Sequence, residues 1–61
     1  MRVMISSKSI LIIDDNRITR LLLAKIFSKD YEVLQARDGK TGFDILLQDP
    51  SKIYTILLNL N

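Results

Sequence analysis

The chain has 61 residues and a net charge of +2, and its lack of cysteine and histidine excludes disulfide frameworks, zinc sites and catalysis by either side chain. Its Lys and Arg residues are scattered rather than clustered, so we expect no nucleic-acid binding through this chain. No apolar run approaches 18 residues, and the N-terminal "MRVMISSKS" is too short for a signal-peptide core, so we expect a cytoplasmic protein with no membrane association.

The first predicted element is a strand at Ile10–Ile13, where four apolar residues follow one another. Such runs are typical of strands that are covered on both faces of a parallel sheet. Asp14 and Asp15 end the strand, and Asn16 is a good N-cap for a helix over Arg17–Ser28. This helix has one broad apolar face that we expect to be buried, formed by Leu22, Leu23, Ile26 and Phe27.

A second strand is predicted at Tyr31–Ala36, near an edge of the sheet, because the β-formers Tyr31 and Val33 share a face with a polar residue. The turn "RDGK" follows, with Asp38 as the N-cap of a second helix over Lys40–Gln48. We expect this helix to bury Phe43, Leu46 and Leu47.

Gly42 lies inside the second helix, where glycine costs about 1 kcal/mol relative to alanine unless close packing requires a small residue. Asp49 and Pro50 end the helix, because the residue before a proline avoids the α region. A third strand is predicted at Thr55–Leu58, directly before Asn59.

Strands that alternate with helices indicate right-handed crossovers and a parallel sheet. We therefore predict an α/β fold with a parallel three-stranded sheet and two helices. Ligands of such sheets bind outside the carboxyl ends of the strands, where the strand order reverses. If the strand order is 2-1-3, Asp14 and Asp15 at the end of the first strand lie next to Asn59 at the end of the third.

Adjacent carboxylates at a strand end repel each other, so the pair Asp14 and Asp15 calls for an explanation. One explanation is a hard cation, since Mg²⁺ takes oxygen ligands and commonly needs one or two carboxylates together with phosphate. The other is purely structural, with Asp14 in a turn and Asp15 or Asn16 as a helix cap. The nearby Asn59 favours the metal and phosphate site.

The stretch Ser9–Asn61 resembles the first half of a response-regulator receiver domain. The resemblance consists of the acid pair after a strand, the helix with Arg20, Leu23 and Phe27, the "A-x-D-G" turn at Ala36–Gly39, and the strand "ILLNLN". It implies half of a doubly wound, flavodoxin-like fold, a parallel three-stranded sheet of order 2-1-3 with two helices. Receivers use Mg²⁺ to accept a phosphoryl group from a histidine kinase or a phosphotransfer protein onto an aspartate at the end of strand three.

Carried over to this sequence, the resemblance makes Asp15 a direct Mg²⁺ ligand and Asp14 a ligand through metal-bound water. The backbone carbonyl of Asn61 would be a further ligand. Asn59 occupies the position of the phospho-acceptor, where the family has aspartate, and its amide oxygen would be a weak metal ligand at most. Because a carboxamide is neutral and poorly nucleophilic, we expect neither phosphotransfer nor enzymatic activity.

The family site also uses a Ser or Thr after strand four and a Lys after strand five, and neither strand exists in this sequence. We therefore expect one incomplete receiver-like domain over residues 1–61, with 1–8 as an N-terminal extension. Strand three becomes an open edge, which predicts a homodimer or a complex with a complementing second-half fragment.

Two alternatives stay open at this point: a small α/β interaction or dimerisation module that keeps the receiver pattern only for packing, and a Mg²⁺-dependent phosphatase. The second is weak because no nucleophile is present. Of the remaining residues, we expect Arg20 to be a solvated helix residue, Phe27 and Phe43 to lie in the core, and Tyr31 and Tyr54 to be packing residues.

Overall fold

Three strands and two helices alternate along the chain in the predicted order. The structure, a computed structural model, describes residues 9–59, so the predicted extension at 1–8 and Asn61 lie outside the described residues. The elements are β1 (Ser9–Asp14), α1 (Arg17–Phe27), β2 (Glu32–Ala36), α2 (Gly39–Gln48) and β3 (Ile53–Asn59), with a short 3₁₀ turn at Pro50–Lys52 before β3.

The strands form a parallel sheet of order β2-β1-β3, which confirms the predicted α/β fold. β1 lies in the centre because its apolar run is covered on both sides: Leu11 and Ile12 have no exposed surface. β3 is longer than predicted, since it pairs with β1 as far as Asp14 opposite Asn59.

Successive residues of β1 point to opposite faces of the sheet. On one face Ile10 and Ile12 pack with Ala24 of α1 to form the core, and the side chains around this core are Leu23, Phe27, Val33 and Leu57. On the other face Leu11 and Ile13 lie under α2. The core is therefore centred on β1.

Close packing explains the glycine inside α2. Gly42 is buried against β1, and a Cβ atom there would lie 2.8 Å from Cγ1 of Ile13 and closer still to its Cδ1. These separations are far below ordinary van der Waals contact, so the small residue is required at this position.

The predicted apolar faces of the helices are wrong in part. The buried position of α1 is Ala24 and that of α2 is Gly42. Four residues that we expected to be covered are instead 57–60% exposed: Leu22, Ile26, Phe43 and Leu47. The physical reason is that each helix packs mainly on β1 and β2, and no other element of the described residues covers the rest of its apolar face.

Both predicted N-caps are confirmed. The Asn16 side chain accepts a hydrogen bond from the Thr19 backbone N–H at 3.0 Å, and the Asp38 carboxylate accepts one from that of Thr41 at 2.7 Å. Neither of the helices in the described part of the chain is long and apolar enough to cross a membrane.

The amino ends of the outer strands are joined across the start of β1. The Glu32 carboxylate accepts a hydrogen bond from the Ser9 hydroxyl at 2.7 Å and pairs with the Lys52 ammonium at 2.7 Å through the same oxygen. The Tyr31 and Tyr54 rings stack nearby, with centroids 6.2 Å apart, which agrees with their expected packing role. This end of the sheet is thus held by side chains that hydropathy does not reveal.

Candidate functional site

The Asp14 side chain lies at the carboxyl end of β1, and it is completely buried. Its Oδ1 accepts a hydrogen bond from the Asn16 backbone N–H at 2.9 Å, and its Oδ2 accepts one from Nδ2 of Asn59 at 3.0 Å. These two bonds, the Asn59 bond foremost, lower the pKa of Asp14, and the Arg20 charge adds to them while burial opposes them. The carboxylate is therefore ionised at neutral pH.

Asn59 is the register partner of Asp14 on the neighbouring strand. Partners in a parallel sheet project from the same face, so the amide reaches the carboxylate directly. The predicted adjacency of these two strand ends is confirmed. The hydrogen bond between them was not predicted, because the sequence shows that the amide can form hydrogen bonds but not which group it meets.

Arg20 is a site residue whose hydrogen bonds were not predicted from the sequence. It is partly exposed and packs against the end of β1, so it is not simply a solvated helix residue. Its Nη1 donates to the backbone carbonyl of Asp14 at 2.8 Å, and its Nε donates to the Gln35 side-chain oxygen at 3.3 Å. A usable signal existed, since Arg20 lies one turn after Asn16 and helical side chains point back toward the N-terminus.

Asp15 is exposed and lines a groove of about 350 Å³ at the same edge of the sheet. Asn59, Arg37, Asp38 and Gly39 line this groove as well. The Arg37 guanidinium lies 3.7 Å from the Asp38 carboxylate. Hydrogen bonds from Thr41 lower the pKa of Asp38, so that carboxylate is ionised too. The groove therefore combines carboxylates, an amide and a guanidinium.

The oxygen atoms at this edge have the right chemistry for Mg²⁺, but the Asp14 carboxylate is not open to a resident ion. Asp14 has no exposed surface, and each of its carboxylate oxygens already accepts a hydrogen bond. Within residues 9–59, no three acidic, His or Cys side chains lie close enough to hold a metal. Asp15 is exposed at the same edge, so weak Mg²⁺ binding stays a prediction.

No protein-family model, curated protein or solved structure matches this chain. The resemblance to receivers therefore depends on the residues and the geometry described above. The interpretation of the fold as half of a doubly wound domain stays a proposal.

Proposed function

We propose that the chain is a receiver-like module of a two-component phosphorelay that cannot accept a phosphoryl group. The observation that carries this proposal is the bond from the Asn59 amide to the buried Asp14 carboxylate at 3.0 Å. It lies at the sheet edge where the resemblance requires the acid pair and the phospho-acceptor to meet.

The chemistry at residue 59 argues against transfer. An acceptor must attack phosphorus with an anionic oxygen. The Asn59 side chain is neutral, and its Nδ2 atom donates a hydrogen bond to the Asp14 carboxylate. No enzymatic step is therefore assigned to this chain.

Such a module would act by binding. In the proposed setting its partner is a histidine kinase or a phosphotransfer protein of the cytoplasm, and docking need not depend on transfer. The groove beside Asp15 and Asn59 borders the surface where such a partner would approach the acid pair.

A second candidate is an interaction module, and the surface around β3 favours it. Ile56 and Leu58 are 43% and 56% exposed, and apolar grooves of about 360 and 200 Å³ adjoin β3 on its two faces. Among the described residues, β3 pairs with β1 alone and its outer edge has no partner strand. A second copy of the chain or a complementing second-half fragment would cover this edge.

Intact-mass analysis after incubation with acetyl phosphate and Mg²⁺ tests the proposal. The wild-type chain and the matched control Asn59→Gln should gain no phosphoryl group, because both carry an amide. Asn59→Asp restores an anionic acceptor and should gain one that hydroxylamine removes, as expected of an acyl phosphate. The labelling should be slow, because the Ser or Thr and the Lys of the complete family site are not present in this sequence.

An adduct on Asp14 or Asp15 of the wild-type chain would show that Asn59 does not block transfer. An Asn59→Asp chain that is labelled no more than the wild type would instead favour the interaction module.

A further inference from the structure

The fully buried Asp14 carboxylate poses an energetic problem that the chain must solve. Burying an ionised carboxylate is costly unless hydrogen bonds or an opposite charge compensate the lost hydration. Asp14 has no exposed surface, so water cannot supply this compensation.

The compensation comes from the chain itself. The Asn16 backbone N–H and the Asn59 amide each donate to one carboxylate oxygen, at 2.9 and 3.0 Å. The Arg20 guanidinium lies beside them on the Asp14 carbonyl and contributes positive charge. No buried side-chain N or O atom among the described residues lacks a hydrogen-bond partner.

We propose that the Asn59 amide takes the place of a divalent cation. Its hydrogen bond to Asp14 joins the carboxyl end of β3 to that of β1 without metal, and we call this contact the latch. This inference depends on the proposed function only for the expectation of a Mg²⁺ site at this edge. It implies that the edge keeps one arrangement whatever the Mg²⁺ concentration, as suits a module that binds constitutively.

An aspartate at position 59 would replace this favourable hydrogen bond with repulsion. The 3.0 Å contact between Nδ2 and Oδ2 of Asp14 would become a contact between two carboxylate oxygens. Like charges at that distance strongly disfavour joint ionisation. A cation or a proton would then be needed to hold the two strand ends together.

Thermal melting of the wild type, Asn59→Asp and the control Gln48→Glu tests the latch, each in EDTA and in MgCl₂ at matched ionic strength. Gln48→Glu adds the same charge on exposed surface away from the acid pair. We expect the same Tm in both buffers for the wild type and the control. Asn59→Asp should melt about 5 °C or more lower in EDTA, and Mg²⁺ should restore most of the loss.

A paired exchange keeps the test decisive if Asn59→Asp does not fold. Asp14→Asn combined with Asn59→Asp retains one amide, one carboxylate and the net charge, so it should fold and melt independently of Mg²⁺. The latch is wrong if Mg²⁺ raises the Tm of the wild type as much as that of Asn59→Asp, or if the exchange does not fold in either buffer.

These melts contain no phospho-donor, so the latch and the proposed function can fail separately. If the Tm of the wild type does not depend on Mg²⁺ but Asn59→Asp is not phosphorylated, the latch is supported and the phosphorelay proposal is contradicted. If Asn59→Asp is phosphorylated but Mg²⁺ raises the Tm of the wild type as much as that of Asn59→Asp, the latch is contradicted and the phosphorelay proposal is supported.

Discussion

Arg20 donates a hydrogen bond from Nη1 to the backbone carbonyl of Asp14 at 2.8 Å, so α1 holds the strand end that carries the acid pair. The same side chain reaches Gln35 on β2 through Nε. One guanidinium thus joins a helix to both the central strand and an outer strand.

Arg20→Met should lower the free energy of unfolding by about 1–3 kcal/mol, because it removes charge-assisted hydrogen bonds while keeping an apolar stem. Arg17→Met is the matched control, an exposed arginine on the same helix that should change stability by less than about 0.5 kcal/mol. Urea denaturation followed by circular dichroism measures both. Equal losses in the two variants would mean that the Arg20 contacts contribute nothing.

Gly42→Ala should destabilise the protein although alanine favours helices. The added methyl group would collide with Ile13, and overpacking of about 1–3 kcal/mol exceeds the helical gain of about 1 kcal/mol. Gly39→Ala is the control, since a Cβ atom there meets no other atom within 4 Å. Ile13→Val removes Cδ1, so the double variant of Gly42→Ala and Ile13→Val should recover part of the stability lost in Gly42→Ala. A Gly42→Ala chain as stable as Gly39→Ala would contradict the packing.

In the Glu32→Gln variant, the free energy of unfolding should fall less steeply than in the wild type as the pH is lowered. The Lys52 hydrogen bond, followed by that of Ser9, lowers the pKa of Glu32 below its ordinary value of 4.5. The unfolded chain therefore binds the proton more readily than the folded chain. The stability that ionised Glu32 contributes is present above pH 4.5 and disappears as the pH falls through the folded pKa. Urea midpoints of the wild type and the variant, measured from pH 6 downward, check this expectation. If the midpoints of both proteins fall equally steeply with pH, Glu32 does not make this contribution.

Lys52→Met tests the other half of this pair at high pH. Glu32 raises the pKa of Lys52 above its ordinary value of 10.5, so the contribution is present below that pH and is lost as the pH rises through the folded pKa. The wild type should lose stability there more steeply than the variant does. Parallel alkaline profiles would contradict this assignment.

Exposed apolar surface around β3 predicts association of the 61-residue polypeptide. If folding and association are linked, its Tm rises with protein concentration. Ile56→Lys should abolish this dependence, because Ile56 lines both apolar grooves. Ile18→Lys, at an exposed position of α1, should preserve it. A compact wild-type monomer with the same Tm at low and high micromolar concentration would defeat the prediction.

Patterns along the chain were enough to predict a parallel sheet with two helices, because a continuous apolar run marks a strand that is covered on both faces. The strand order, and with it the meeting of Asp14 with Asn59, was predicted with the help of the resemblance to receivers. The contact of Arg20 with Gln35 and the partners of Glu32 were not predictable in this way, because they depend on register and side-chain direction. The exposure of Phe43 was missed for a different reason, since periodicity gives the extent of an apolar face but not how much of it other elements cover.

The Asn59 side-chain amide itself is the most direct test, observed by NMR in a ¹⁵N-labelled chain. If it donates to Asp14, one of its two protons should be shifted downfield and exchange with water more slowly than those of Asn16, whose side chain caps α1 through its oxygen. Addition of MgCl₂ should leave both signals in place. Exchange as fast as that of Asn16, or signals that move as Mg²⁺ is added, would contradict a metal-free latch between β1 and β3.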